Sequence, residues 1–377
     1  MNQNRLNITL LELCEIPSPS QNERQVADYI LDRVSSLGVD VVEDEAVKDI
    51  GGNTGNLVVR LSDNDNDNDK PSLLLSAHMD TVDPKLGSSN KINVMVSDGI
   101  VHTDGKTILG ADDKAGVAIA LEMIHYVVEN PGDLVTPLEI VFTVQEEIGV
   151  LGASYLKKTN LVSKCGFVLD GDTEVGTVIV KSPYKWKYFL DVLGKSAHAA
   201  LDPEKGINAI KVLSSIIGEL PCGRIDNNTV TNYGIVTGGT TTNVVADQAK
   251  LIGELRGHDI EKINYVQTEM FVNIQKITQE FGANFDINWT SLYSGYVVSN
   301  DSQCMQYFMS ACSKLGIEPK TVVTDGGGDA NHLNGAGINC VPFGLGMKAI
   351  HTNQEHISLA DLHLAFNLLL ECLRQNR

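Results

Sequence analysis

Three short apolar runs constrain this chain more than any other feature, because each ends abruptly on an acid or an imidazole. They are LLLSAHMD at residues 73–80, LEIVFTVQEE at 138–147 and GFVLD at 166–170. Short, aliphatic and β-branched, they read as buried strands. Between the first two lies a helical pattern over residues 112–129. Val117, Leu121, Ile124 and Val128 form its apolar stripe, and Asn130-Pro131 stops it. Strand–helix alternation of this kind predicts an α/β layer with a mixed, mostly parallel sheet flanked by helices. Upstream, Ser20 and Glu23 have capping-box spacing before an amphipathic run to Leu37-Gly38. Residues 39–42 and 56–61 read as further strands. With 42% hydrophobic and 20% charged residues the chain can fill a core, which excludes global disorder.

From about Thr177 the pattern changes. KWKYFLDVLGK reads as a strand, INAIKVLSSIIGEL as a helix, and TVTNYGIVTGG and QAKLIGELRGHD as two strands; a long helix over 260–281 and the strand NFDINWTSLY follow. The order β-α-β-β-α-β is that of a ferredoxin-like unit. After about Ser294 the α/β pattern resumes, with helices at 303–315 and 359–373 around the strands TVV and INCVPFG. The expected organisation is an α/β domain formed by 1–176 and 294–377, interrupted by a ferredoxin-like α+β module at 177–293.

Lys plus Arg number 29 against 48 Asp plus Glu, a formal charge of -19. Such a surface repels phosphate backbones and anionic lipid, so neither nucleic acid nor a membrane is an expected partner. No apolar run is long enough for a transmembrane helix, and the start lacks the basic and apolar regions of a secretion signal. Seven scattered cysteines without a CxxC motif read as free thiols in a reducing cytoplasm. SDNDNDNDK reads as a solvated hairpin tip. Its Asp63, Asp65 and Asp67 alternate as in a calcium loop, but the glycine and closing glutamate of an EF-hand are missing. Neither GxGxxG nor a P-loop occurs, which disfavours nucleotide chemistry.

The chemistry-bearing residues gather at one kind of place. His78 and Asp80 close the first run, Glu146 and Glu147 the second and Asp170 the third, while Asp112 and Asp113 open the helix. Ligands of open α/β sheets bind outside the carboxyl ends of the strands. Each feature alone has a structural reading. His-x-Asp is a common local pair, Asp-Asp caps a helix, paired glutamates are commonly solvated, and an acid in LDGD can belong to a turn. Together, one imidazole and several carboxylates suit a two-metal hydrolytic site. A second imidazole is then expected from His332, His351, His356 or His363.

The motifs SAHMDTV, GADDKAG, QEEIGVLGA, VLDGD, GKSAHA, GGTTTNVV, ELRGHD, GGGDANHLNGAG and AIHTNQEHISL run in this order along the chain. In this it resembles the di-zinc peptidase family of peptidase T, carboxypeptidase G and the aminoacylases, and most of all the peptidase T-like branch. The resemblance implies a zinc-binding catalytic domain with an inserted lid that pairs into homodimers in some members. It implies two Zn²⁺ ions, with Co²⁺ or Mn²⁺ as substitutes. His78 and Asp170 match ligands of one ion, Glu147 and His351 ligands of the other, and Asp112 the bridging carboxylate. The spacing of His351 to Glu355 favours it over His356. Asp80 matches the acid that orients His78, and Glu146 the general base that activates a metal-bridged water. His198 resembles a lid histidine that stabilises the oxyanion. Asn243 and Arg256 resemble groups that hold the substrate's polar end, though Arg256 also fits a structural ion pair. Gly327 and Gly328 offer close approach or N–H donors to a substrate carboxylate, and equally suit a tight turn.

The implied activity is hydrolysis of short peptides from the amino end. An N-acyl-amino-acid deacylase or a carboxypeptidase-type amidohydrolase is the alternative on the same scaffold. A binding protein with an inert site is the rival of another class, and the complete ligand set opposes it.

Overall fold

The computed structural model describes residues 1–61, 73–85, 91–133, 137–156 and 161–374. The Asp/Asn-rich stretch with Asp63, Asp65 and Asp67 lies outside them. The chain divides into two compact units, one of Met1–Lys181, Val297–Thr324 and Gly328–Arg377, the other of Ser182–Tyr296 and Asp325–Gly327. Thr177–Ser182, which the sequence reading assigned to the insertion, is instead a strand of the first unit's sheet, parallel to Lys320–Val323.

The first unit is built on a mixed sheet. Its strands run in the order Val41–Glu43, Leu57–Leu61, Leu138–Thr143, Leu73–His78, Cys165–Gly171, Asn339–Gly344, Thr177–Ser182. Leu73–His78 is parallel to both neighbours, Leu138–Thr143 and Cys165–Gly171, and Asn339–Gly344 is parallel to Cys165–Gly171. Every residue of Leu73–His78 and of Leu138–Thr143 is buried, which explains their continuous rather than alternating apolar pattern.

Helix Ala111–Glu129 packs on strands Leu73–His78 and Cys165–Gly171. Gly116 allows this approach, since a Cβ there would lie 2.2 Å from the Leu169 carbonyl oxygen. The start of that helix is thereby held against the end of the strand carrying Asp170. Helices Gln303–Leu315 and Leu359–Arg374 pack on each other.

Three features escaped the sequence reading. One is the first helix, Gln3–Glu15, which buries Leu6, Leu10 and Leu13. The second is a small sheet of Val94–Ser97, Ile100–Thr103 and His356–Ser358. The third concerns Ser20, which does not cap a helix. The next helix is Arg24–Ser35, its N-cap is Glu23, and no side chain caps it.

The second unit has the expected β-α-β-β-α-β order. Its antiparallel sheet runs Gly223–Asp226, Thr229–Gly238, Gln248–Gly257, Tyr184–Leu193, Asn284–Tyr293, with the first strand a short addition. Alternate residues Tyr188, Leu190 and Val192 face a core completed by Leu251, Leu255, Ile263, Met270 and Ile274. Helices Ala209–Glu219 and Ile260–Phe281 supply the other side of that core.

Candidate metal centre and active site

Two clusters of ligand-type side chains meet at the carboxyl ends of the first unit's parallel strands, and Asp112 belongs to both. His78 Nε2 lies 3.1 Å from Asp112 Oδ1 and 3.7 Å from Asp170 Oδ1. His351 Nε2 lies 3.1 Å from Asp112 Oδ2 and 3.0 Å from Glu147 Oε1. The two oxygens of Asp112 thus face different imidazoles, the disposition of a carboxylate bridging two cations.

Each imidazole is aimed by its surroundings. His78 Nδ1 is 2.9 Å from the Asp80 carbonyl oxygen and 3.4 Å from Asp80 Oδ1. With a proton on Nδ1, the Nε2 lone pair is left facing Asp112 and Asp170. His351 sits in a turn with φ of 61°, an uncommon conformation for a side chain of this size. Glu355 accepts N–H bonds from Leu109, Gly110 and Asp112, and so fixes the turn that presents Asp112. The other three candidate histidines are used elsewhere. His356 Nδ1 meets the Gln354 carbonyl, His363 Nε2 meets Asn7 Oδ1, and His332 lines a separate cavity of about 110 Å³ with Leu156 and Ile338.

The two aspartates that open the helix divide the two readings between them. Asp113 Oδ1 accepts the Gly116 N–H at 3.0 Å, as a cap does, and its Oδ2 accepts the His78 N–H at 3.0 Å. Asp112 caps nothing and faces the imidazoles. The peptide joining them is cis. Asp113 also falls with His78 and Asp170 in a group whose ligand atoms lie within 4.8 Å of one another.

Asp80 does more than orient His78. It is fully buried; its Oδ1 accepts the Glu146 N–H at 2.9 Å and its Oδ2 the Glu147 N–H at 3.1 Å. The backbones of Glu146 and Glu147 are thus both tied to one carboxylate. Asp329, which sequence reasoning missed, is buried and bonded by the Thr143 hydroxyl; desolvation and Asp80 push it up to about 6.

Electrostatics argue for cations here. Desolvation first, then neighbouring carboxylates, pushes Glu146 and Asp113 well above the usual range and Asp170 up to about 7. Asp112 is driven down by the two imidazoles despite its burial. His351 is raised to about 10 by Asp112 and Glu147. The buried acids therefore exceed what two imidazoles neutralise, a deficit that divalent cations correct. Glu147 Oε1 is buried and faces His351 Nε2 at 3.0 Å. The donor set, imidazole nitrogen with carboxylate oxygen, fits ions of the zinc type.

The sequence profile of peptidase family M20/M25/M40 matches residues 74–375. This chain belongs to that family. It is an enzyme of metal-dependent peptide hydrolysis. The uncharacterized protein YqjE of Bacillus subtilis is 34% identical over 96% of this chain and 95% of its own length. The crystal structure of aminopeptidase PepT from Bacillus cereus is 32% identical with a TM-score of 0.87, covering 100% of this chain and 99% of that one. That of a tripeptidase from Staphylococcus aureus is 33% identical with a TM-score of 0.88 at the same coverage.

The remaining residues singled out from the M20 chain's sequence lie in the second unit or at its edge. His198 Nδ1 accepts N–H bonds from Ala200 and Leu201 at 3.2 and 3.1 Å, so the ring proton is on Nε2. Asn243 is close by. Its carbonyl accepts the Ala199 N–H, and its Oδ1 accepts from the Thr241 hydroxyl. Arg256 is paired with Glu254 at 2.8 Å. Gly327 packs against the Tyr293 ring, where a Cβ would come within 2.2 Å of the hydroxyl oxygen. Gly328 borders the centre, its Cβ position being 3.4 Å from Glu146 Oε1 and 3.5 Å from Asp170 Oδ2. The Gly328 N–H already donates to Asn331 Oδ1, so close approach, not an amide donor, is what this glycine offers.

Proposed function

We propose that this M20 enzyme removes residues from the amino end of short peptides, with Glu146 as general base. The observation carrying the reading is the shared Asp112 between two imidazole–carboxylate clusters, with Glu146 beside them and outside both. His78, Asp112 and Asp170 would hold one cation, and His351, Asp112 and Glu147 the other. When bound, such ions supply Lewis acidity and lower the pKa of water towards neutrality.

The chain's own groups do the rest. Glu146, desolvated and raised, takes a proton from the attacking water and returns it to the leaving amine. Asp80 holds the backbone of Glu146 and Glu147 in register through this exchange. His198 supplies its Nε2–H to the oxyanion, a donor kept available because Nδ1 is occupied by two backbone amides. Asn243 and Arg256 hold the substrate's polar end. Similarity over the whole chain to an aminopeptidase and a tripeptidase supports peptide substrates read from the amino end over acylated amino acids. Among the described residues every cysteine is unpaired, which supports a cytoplasmic setting. Ile235 and Val236 lie exposed on a lid strand, which supports a lid-mediated homodimer.

The test is a substrate panel on protein of measured metal content. Ala-Ala-Ala is cleaved, and N-acetylated and N-succinylated amino acids are not. Chelation abolishes turnover and Zn²⁺, Co²⁺ or Mn²⁺ restores it. Faster hydrolysis of the acylated compounds would move the enzyme to the deacylase reading.

A further inference from the structure

Ser20 and Glu23 have the spacing of a capping box, yet neither side chain serves the helix that follows. The Ser20 hydroxyl donates to Asp80 Oδ2 at 2.6 Å. Glu23 is fully buried, and its Oε1 accepts the Gln145 N–H at 3.1 Å and the Gln21 N–H at 2.9 Å. Gln145 belongs to the turn that carries the base, and Asp80 accepts the Glu146 and Glu147 amides of that turn.

The segment around these residues is sewn to the end of strand Leu73–His78. Ser18 Oγ donates to the Met79 carbonyl at 2.8 Å, the Thr81 N–H donates to the Ser18 carbonyl at 2.9 Å, and Pro19 bridges to Thr81. The buried Lys114 ammonium donates to the Ile16 carbonyl just upstream. Residues 16–23 therefore form a fixed backing behind Asp80.

What they back is conformationally demanding. Gln145 has a positive φ of 55°, unusual for a residue with a side chain. Its N–H is held by Glu23, its side-chain amide by the Gly51 carbonyl at 2.8 Å, and its carbonyl by the Leu151 N–H. The next two residues are Glu146 and Glu147, whose amides end on Asp80. Without Ser20, the buried Asp80 carboxylate loses its hydroxyl donor and is held chiefly by the Glu146 and Glu147 amides that it is meant to fix. Without an acceptor at position 23, the Gln145 amide is orphaned in a buried site.

We propose that Ser20 and Glu23 are positioning residues for the general base. Ser20 acts through Asp80 and Glu23 through Gln145, so that the backing segment sets the aim of Glu146 without touching substrate. The inference rests on the reading of Glu146 as the base.

Its test is kinetic, on the metal-loaded full chain with Ala-Ala-Ala as substrate. Ser20→Ala lowers kcat by about 10–100-fold, the range typical of groups that orient metal-site residues, with KM within about twofold. Its melting temperature and metal content match the parent, and Ser20→Thr, which keeps the hydroxyl, recovers most of kcat. Should Ser20→Ala fail to fold, Glu23 gives the same answer. Glu23→Met lowers kcat, and Glu23→Gln, which keeps an oxygen for the Gln145 amide, recovers most of it. Unchanged kcat in Ser20→Ala, or equal activity of the two Glu23 variants, overturns the proposal. An active Glu146→Gln overturns the reading of the base itself, and a parent inactive on Ala-Ala-Ala overturns the reading of the substrate; both are distinguishable from failure of this proposal.

Discussion

The metal-site end of the large sheet and the candidate substrate residues of the lid are built on opposite plans. Around the centre, Asp80, Asp113 and Glu355 are buried, and their carboxylate oxygens are tied to backbone amides. In the lid, His198 and Asn243 are exposed, and their side-chain bonds stay within a few residues of sequence. The first region is organised before substrate arrives. The second keeps unsatisfied donors facing solvent, free for a ligand. Substitutions at the centre should therefore act on chemistry and metal retention, and those in the lid on transition-state contacts and substrate capture.

The strongest way to break this contrast is Glu146→Gln. It should lower kcat by roughly 10²–10⁴-fold, the usual contribution of a general base, with two metals per chain retained by elemental analysis. Loss of metal would mean that base and ligand have been exchanged. Next, His198→Ala should lower kcat by about 10²–10³-fold, the cost of one oxyanion donor, without changing metal content. A rise in KM alone would make it a capture group instead.

Glu23 sharpens the contrast on the side of stability. Desolvation, aided by the charge of Asp80, raises it from 4.5 to about 7. A folded-state pKa above the unfolded one favours the native state below pH 4.5, and that advantage fades as pH rises towards 7. The span corresponds to on the order of 3 kcal/mol. Glu23→Gln removes this slope, so denaturant unfolding of the variant and the parent should converge on going from pH 5 to pH 7.5, or cross in the variant's favour. Parallel stabilities would show that Glu23 ionises normally. The smallest effect is expected from Arg256→Lys. A point charge replaces the guanidinium fork, and KM for Ala-Ala-Ala rises by about tenfold or less at nearly constant kcat. A change in melting temperature with constant KM would assign Arg256 to its Glu254 pair alone.

Much of this was legible in the chain because strand ends and chemistry coincide. LLLSAHMD, LEIVFTVQEE and GFVLD show both the sheet and the place where ligands emerge, and the four lid strands are long enough to show their alternation. The small sheet was not legible. Its strand His356–Ser358 pairs with Ile100–Thr103, more than two hundred residues away, and no local pattern announces so short a strand. Helix Gln3–Glu15 was legible in the spacing of Leu6, Leu10 and Leu13, but the stretch was weighed only as a possible leader. Ser20 was misread because a capping box is a local signal, whereas the demand of Asp80 for a donor is set by the fold. Glu355 showed itself only as a spacing to His351, and Asp329, though inside the motif GGGDANHLNGAG, showed no role, since the Thr143 that binds it is far off in sequence.

The central claim is that two cations are clasped by these side chains. Anomalous diffraction from a crystal of the zinc-loaded enzyme tests it most directly. The account predicts two peaks about 3.5–4 Å apart, one against His78 and Asp170, the other against His351 and Glu147, with an Asp112 oxygen on each. A single peak, or peaks held by other residues, would contradict it.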